Sequence, residues 1–171
     1  MSSLSIERPA GLATEVATTT LDTEARGILE RARSAAAASG SQFAGSLPPR
    51  DAWALVQAGQ SRLVDVRSPE ELRFVGHVPG ALSVAWATGT ALTRNPRFVR
   101  ELENRVTSKK EVLLFLCRSG KRSVDAAVAA TKAGFEQVYN VLEGFEGDLD
   151  AQGQRGAVGG WRHQGLPWKQ D

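Results

Sequence analysis

Cysteine is almost missing from this chain: one residue in 171, Cys117, which excludes an internal disulfide framework and a cysteine-only metal site. Histidine is nearly as scarce. His77 and His163 stand too far apart in sequence to give a zinc-binding spacing, so no metal and no other cofactor is expected. No apolar run approaches the roughly 20 residues that span a bilayer, and the N-terminus has neither the basic start nor the hydrophobic stretch of a secretion signal. That terminus is rich in Ser, Thr and Ala, as transit peptides are, yet Glu7, Glu15, Asp22 and Glu24 speak against a transit peptide. An excess of one charge is lacking too: 21 Lys and Arg face 19 Asp and Glu, a net charge of +2, and away from Cys117 the basic residues are scattered. This is not the footprint of a nucleic-acid binder. The expectation is a cytoplasmic protein with neither nucleic acid nor membrane as partner.

What is present suffices for one core. At 42% hydrophobic and 23% charged, the chain is long enough to bury one domain and too short for two comfortable ones. Residues 1–42 read as an extension, loose to about residue 20 and then helical over 22–39, with Ala25, Ile28, Leu29, Ala32 and Ala36 on one stripe and Gly40 as the stop. So narrow a stripe either lies on the flank of the domain or joins two copies of the chain. Residues 43–171 alternate short apolar runs with helices. Ser46-Leu47-Pro48-Pro49 starts a helix that turns Ala52, Leu55 and Val56 inward and ends at Gly59, with Trp53 as a packing residue. Arg62 to Val66 reads as a buried strand, and Ser68-Pro69-Glu70-Glu71 as a helix start. A Gly- and Pro-punctuated turn around His77 delivers a third strand, and the connection after Trp86 holds a helix over about 96–106. Val112 to Leu116 is a fully buried strand and Gln137 to Val141 the last one. Strands alternating with helices imply a parallel sheet in an α/β architecture. Such sheets bind ligands beyond the C-terminal ends of their strands, where Asp65, Arg67, Trp86, Cys117 and the stretch from Glu143 all fall.

The lone cysteine stands at the tip of the buried strand and is followed by Arg118-Ser119-Gly120-Lys121-Arg122-Ser123. A helix over 123–134 follows, read as turning Val124, Ala127, Val128 and Thr131 inward. The first turn of a helix presents unpaired amides and the positive end of the macrodipole. Arg118, Lys121 and Arg122 add charge at the same point, a setting that favours a thiolate, hence a nucleophile. An anionic adduct on the sulfur would rest on the same amides. Asp65 and Arg67 end a buried strand in two charges, which are expected to satisfy each other or nearby loop amides. His77, between Gly and Pro residues, is read as a turn-fixing hydrogen bonder.

Three motifs in order, Asp65-Val66-Arg67-Ser68-Pro69-Glu70-Glu71, Gly76-His77-Val78-Pro79-Gly80-Ala81 and Cys117 to Ser123, resemble the rhodanese family of sulfurtransferases. The resemblance covers about residues 45–144 and 161–167. It implies a five-stranded parallel sheet in the order 1-5-4-2-3, with helices on both faces and a weak first strand near Ala44 to Leu47. It also implies that Cys117 takes a sulfane sulfur from a donor such as thiosulfate or a persulfide, and passes it from a Cys117 persulfide to a thiol acceptor, either small or on a protein. In that scheme Arg118, Ser119, Gly120, Lys121, Arg122, Ser123, Arg67 and Trp86 bind substrate, while Asp65 and His77 support the loop. Within the same resemblance the alternative is a non-enzymatic persulfide carrier or binding module. Cysteine phosphatases place an arginine six positions after the nucleophile; here Arg122 is the fifth and Ser123 the sixth, so phosphatase activity is not expected. Family members run quickly from the last strand to a Trp and a Gly-Leu-Pro ending, whereas this chain inserts a stretch over about 146–159 before Gly160-Trp161 and Gly165-Leu166-Pro167. Leaving from a strand's C-terminal end, the insertion should lie beside the Cys117 pocket, as a lid or as a wandering surface loop.

Overall fold

The computed structural model describes the backbone over residues 12–171 and side chains over residues 23–171. Its elements are α1 (Leu12–Ser39), β1 (Gly45–Leu47), α2 (Pro49–Gln57), β2 (Arg62–Asp65), α3 (Pro69–Phe74), β3 (Leu82–Ser83), β4 (Ala87–Thr88), β5 (Thr93–Arg94), α4 (Phe98–Arg105), β6 (Val112–Leu116), α5 (Arg122–Lys132) and β7 (Gln137–Val141). Five of the strands form a parallel sheet in the order β1-β7-β6-β2-β3, which is the expected 1-5-4-2-3 once sheet strands alone are counted. The central pairing sets Asp65 opposite Leu116, so β2 and β6 end together and their exits share one edge. β4 and β5 make a small antiparallel ribbon of their own, inside the connection where only a helix was expected.

Two apolar layers close on this sheet. On one face Ala25, Ile28 and Leu29 of α1 and Ala52 and Leu55 of α2 meet Leu47, Leu114, Tyr139, Trp161 and Leu166. On the other, Phe98 and Leu102 of α4 and Ala126, Ala127 and Ala130 of α5 meet Val64, Leu113, Phe115 and Val138. The expected stripe of α1 is the one that is buried, and it lies on the flank of the sheet. The helix itself begins at Leu12, so of the segment expected to be loose, residues 1–11 lie outside the described residues and the rest is helical. Among the described residues no helix is long and apolar enough to cross a membrane.

The face of α5 differs from expectation. Ser123, Ala126, Ala127 and Ala130 are buried, while Val124, Val128 and Thr131 are only partly covered. The reason is the helix's entry. Ser123 is turned onto the Cys117 sulfur, and a helix so phased must carry positions three, four and seven residues later toward the sheet. Those positions hold alanine, and their small side chains let the helix axis lie close over β6 and β7.

The C-terminal stretch is part of the core. Trp161 is fully buried, donates from Nε1 to the Pro167 carbonyl at 2.8 Å, and meets the Trp53 ring edge-on at 5.9 Å. His77 and Lys169 exchange backbone hydrogen bonds of 2.8 and 2.9 Å, tying the tail to the turn before β3. The 146–159 insertion is braced internally: the Asp150 carboxylate accepts from the amides of Gln152 and Gln154 at 2.9 and 2.8 Å, and Arg155 donates to the Gly147 carbonyl at 2.7 Å. Its neck admits only glycine, since a Cβ on Gly147 would come within 2.1 Å of the Gly159 carbonyl oxygen.

Candidate active site

β6 delivers Cys117 at its C-terminal end, and α5 begins at Arg122, so the intervening turn has to reverse the chain within a few residues. Gly120 makes the reversal with φ of +89°, a conformation open to glycine, while the chain at Glu143 lies 3.2 Å from where its Cβ would be. The result is a loop whose Gly120 N–H donates to Cys117 Sγ at 3.1 Å. Ser123, at the start of α5, brings its hydroxyl to 3.1 Å from the same sulfur. Cys117 is 1% exposed, with its sulfur facing these two polar groups. Lys121, which precedes α5, caps none of the helix's amides with its side chain.

The loop is clamped from the side by α3. Ser68 and Glu71 form a reciprocal capping box, the Ser68 hydroxyl accepting from the Glu71 amide and the Glu71 carboxylate accepting from the Ser68 amide. The same carboxylate takes both Nη groups of Arg122, at 2.9 and 2.6 Å. Partial burial would raise the Glu71 carboxyl on its own, but hydrogen bonds from Arg122 and Ser68 outweigh it and hold the group at about 2, below its ordinary 4.5. Arg122 is correspondingly raised, chiefly by its bond to Glu71.

From beneath, the exit of β7 supports the loop. The amides of Phe145 and Glu146 donate to the carbonyls of Cys117 and Arg118 at 2.7 and 2.9 Å. Gly144 passes so close that a Cβ there would lie 2.5 Å from the Cys117 carbonyl oxygen. Within β7 itself, Asn140 is 3% exposed, accepts from the Ser123 hydroxyl at 2.5 Å and donates toward the Gly120 carbonyl at 3.4 Å.

The residues expected around the thiol are thus sorted by the fold. Cys117, Gly120, Arg122 and Ser123 are joined by the contacts above, with Arg118, Ser119 and Lys121 on the same loop. Asp65 and Arg67 pair with each other, as their sequence setting suggested, with contacts down to 2.6 Å through Arg67 Nε and Nη2, while the buried Nη1 has no hydrogen-bond partner among the described residues. Arg67 also donates to the Gly76 carbonyl at 2.9 Å and lies 4.0 Å from the Phe145 ring centroid, sealed at 1% exposure. This buried placement gives Arg67 contacts to supporting backbone rather than an open face for substrate. Trp86 packs edge-on against Phe98 and beneath Arg94, in a groove shared with Val99, Val124 and Val128. His77 holds the tail through its backbone and faces Pro69, Leu72 and Ser83. Sequence reading passed over Glu71, Asn140 and Gly144. A polar residue inside the apolar β7 was a usable signal for Asn140, while nothing local to Glu71 announces a partner 51 positions away.

A parallel α/β sheet whose central strand runs into a cysteine-bearing turn and then a helix defines a class, the α/β domains that present a thiol in a backbone cradle. The family within that class follows from comparison. Residues 48–151 match the family model described as the rhodanese-like domain, and the chain belongs to that family. It is similar to Rv0390 from M. tuberculosis, whose crystal structure superposes with a TM-score of 0.69 at 46% identity, covering 75% of this chain and 99% of that one. It is 34% identical over 101 residues to the thiosulfate:glutathione sulfurtransferase of Homo sapiens, covering 57% of this chain and 87% of the relative. To the chloroplastic thiosulfate sulfurtransferase 16 of Arabidopsis thaliana it is 29% identical over 117 residues, covering 67% and 84%. The family is therefore one of sulfur transfer.

Proposed function

We propose that the protein is a sulfurtransferase that moves a sulfane sulfur from a thiosulfate or persulfide donor to a thiol acceptor through a Cys117 persulfide. The reading is carried by one observation: the only cysteine of the chain sits at the strand tip with an N–H of its own loop directed at the sulfur. The Cys117 sulfur attacks the outer sulfur of the donor; the bond between the donor's sulfurs breaks, and its electron pair leaves with the remainder of the donor. The acceptor thiolate then attacks the outer sulfur of the persulfide and returns Cys117 as thiolate. The Gly120 amide stabilises the charge on sulfur. Arg122 has its guanidinium engaged by Glu71 and acts by holding the loop's shape, while Arg118 and Lys121 meet the donor's negative charge. Two half-reactions on one thiol give ping-pong kinetics.

The test is intact-mass analysis after exposure to thiosulfate and, separately, to a small persulfide. A gain of one sulfur on the wild type, removed by added thiol and missing in Cys117→Ser, is expected. A mass unchanged at saturating concentrations of both donors would overturn the reading.

A further inference from the structure

Hydrogen bookkeeping around the buried sulfur assigns a part to Asn140. Its Oδ1 only accepts, so the 2.5 Å contact to Ser123 Oγ uses up the hydroxyl's one proton. The same oxygen can then only accept from Cys117, at 3.1 Å. In this arrangement the sulfur carries its proton and gives it to Ser123, with Gly120 N–H as the sole donor directed at the sulfur among the bonds described. The Asn140 amide is held in that sense by the Gly120 carbonyl, which offers no proton and therefore faces Nδ2. A thiolate needs the opposite arrangement. Once the sulfur's proton has gone to solvent, the Ser123 hydroxyl must turn about its Cβ–Oγ bond and donate to sulfur, leaving Asn140 Oδ1 without its partner. No proton passes to Asn140, since an amide carbonyl is not a base.

We infer that Asn140 is a positioning residue that competes with the Cys117 sulfur for the Ser123 hydroxyl, so that the Asn140–Ser123 contact sets how readily the thiolate and the persulfide anion form. This deepens the sulfurtransferase reading and rests on it, but the switch exists without any sulfur donor. The chemistry also gives it a direction. A donor bond to an anionic sulfur is worth more than one to a neutral amide oxygen, so the hydroxyl moves to sulfur upon ionisation, and Asn140 makes that move costlier.

The experiment is the pH profile of Cys117 alkylation by iodoacetamide in the full chain, with folding followed by circular dichroism. Asn140→Leu, close in shape but without the acceptor, frees the hydroxyl; its profile is expected to move to lower pH by roughly one unit, a tenfold rise in rate below the midpoint. Asn140→Asp, which keeps an acceptor and adds a buried negative charge, is expected to move it the opposite way. On a Ser123→Ala background, Asn140→Leu is expected to change nothing, because the amide acts only through the hydroxyl. If Asn140→Leu does not fold, Asn140→Ala supplies the same reading. Profiles that coincide with wild type, that move in one direction for both Leu and Asp, or that shift equally with and without Ser123 would overturn the proposal. Failure of the persulfide mass gain would instead strike the sulfurtransferase reading and leave this result standing.

Discussion

At the scale of single residues, the chemistry depends on partners that sequence distance conceals. Glu71 serves two elements at once: it closes the capping box of α3 and pins Arg122 at the mouth of the cysteine loop. Because the folded carboxyl sits at about 2 against an ordinary 4.5, its contribution to stability is complete above about pH 4.5 and is lost as the pH falls toward 2. Glu71→Gln keeps the shape and removes the charge. In urea titrations the wild type should exceed this variant by about 1–3 kcal/mol at neutral pH, with the gap shrinking below pH 4.5 and closing near pH 2. A gap that stays constant across that range would mean that the pair does not carry the difference. Cys117 and the order of cations after it were legible because they are contiguous. The division of labour among those cations was not, since only the fold shows that Arg122 is engaged by Glu71 and that Arg67 is sealed against Asp65.

At the scale of elements, the site is a seam between two loops, one after β6 and one after β7. Paired strands bring their exits together, and here Leu114 lies opposite Tyr139 and Phe115 opposite Asn140, so the chain after β7 runs beneath the cysteine turn. Gly144, at φ of +65°, has no room for a side chain between the two backbones. An added methyl would meet the Cys117 carbonyl oxygen, the Arg118 carbonyl carbon and the Ser119 amide nitrogen within 2.6 Å, and all three are backbone that cannot step aside without moving the sulfur. Gly144→Ala should therefore cost at least about 2 kcal/mol and lower the melting temperature by roughly 4–8 °C. Its larger effect should be on persulfide formation, measured at a temperature where the variant is still folded. Full persulfide yield with a merely lowered melting point would show that the seam bears on stability alone. The periodicity of α5 misled for a related reason. Its valines mark the more hydrophobic stripe, yet the requirement that Ser123 face the sulfur decided which stripe meets the sheet.

At the scale of the whole molecule, the order of the sheet could be anticipated through the resemblance, because three motifs locate three strand ends. The role of α1 could not. The family match begins at residue 48, beyond this helix, and an apolar stripe that narrow suits a flank as well as a second copy of the chain. The packing shows why α1 belongs to the sheet: Gly45 of β1 lies so close to the helix that a Cβ would stand 2.6 Å from the Ala32 carbonyl oxygen. Arg33 then reaches across to donate to the Tyr139 hydroxyl at 2.7 Å and to Gln137 at 2.5 Å, both on β7. The helix thus holds the same strand, β7, that carries Asn140 and leads into the turn under the sulfur. Removing residues 1–40 uncovers Leu47 and Tyr139 and discards the burial of Ile28 and Leu29, each worth about 1.5–3 kcal/mol. Set against the entropy released by the missing helix, a net loss of about 3 kcal/mol is expected, or roughly 6–12 °C in melting temperature. The shortened protein should bind a hydrophobic dye and show Ser123-dependent changes in Cys117 alkylation, since β7 carries both the helix contact and Asn140. Unchanged melting and an unchanged alkylation profile would return α1 to the status of an appendage, and would make its buried stripe a surface for some other contact.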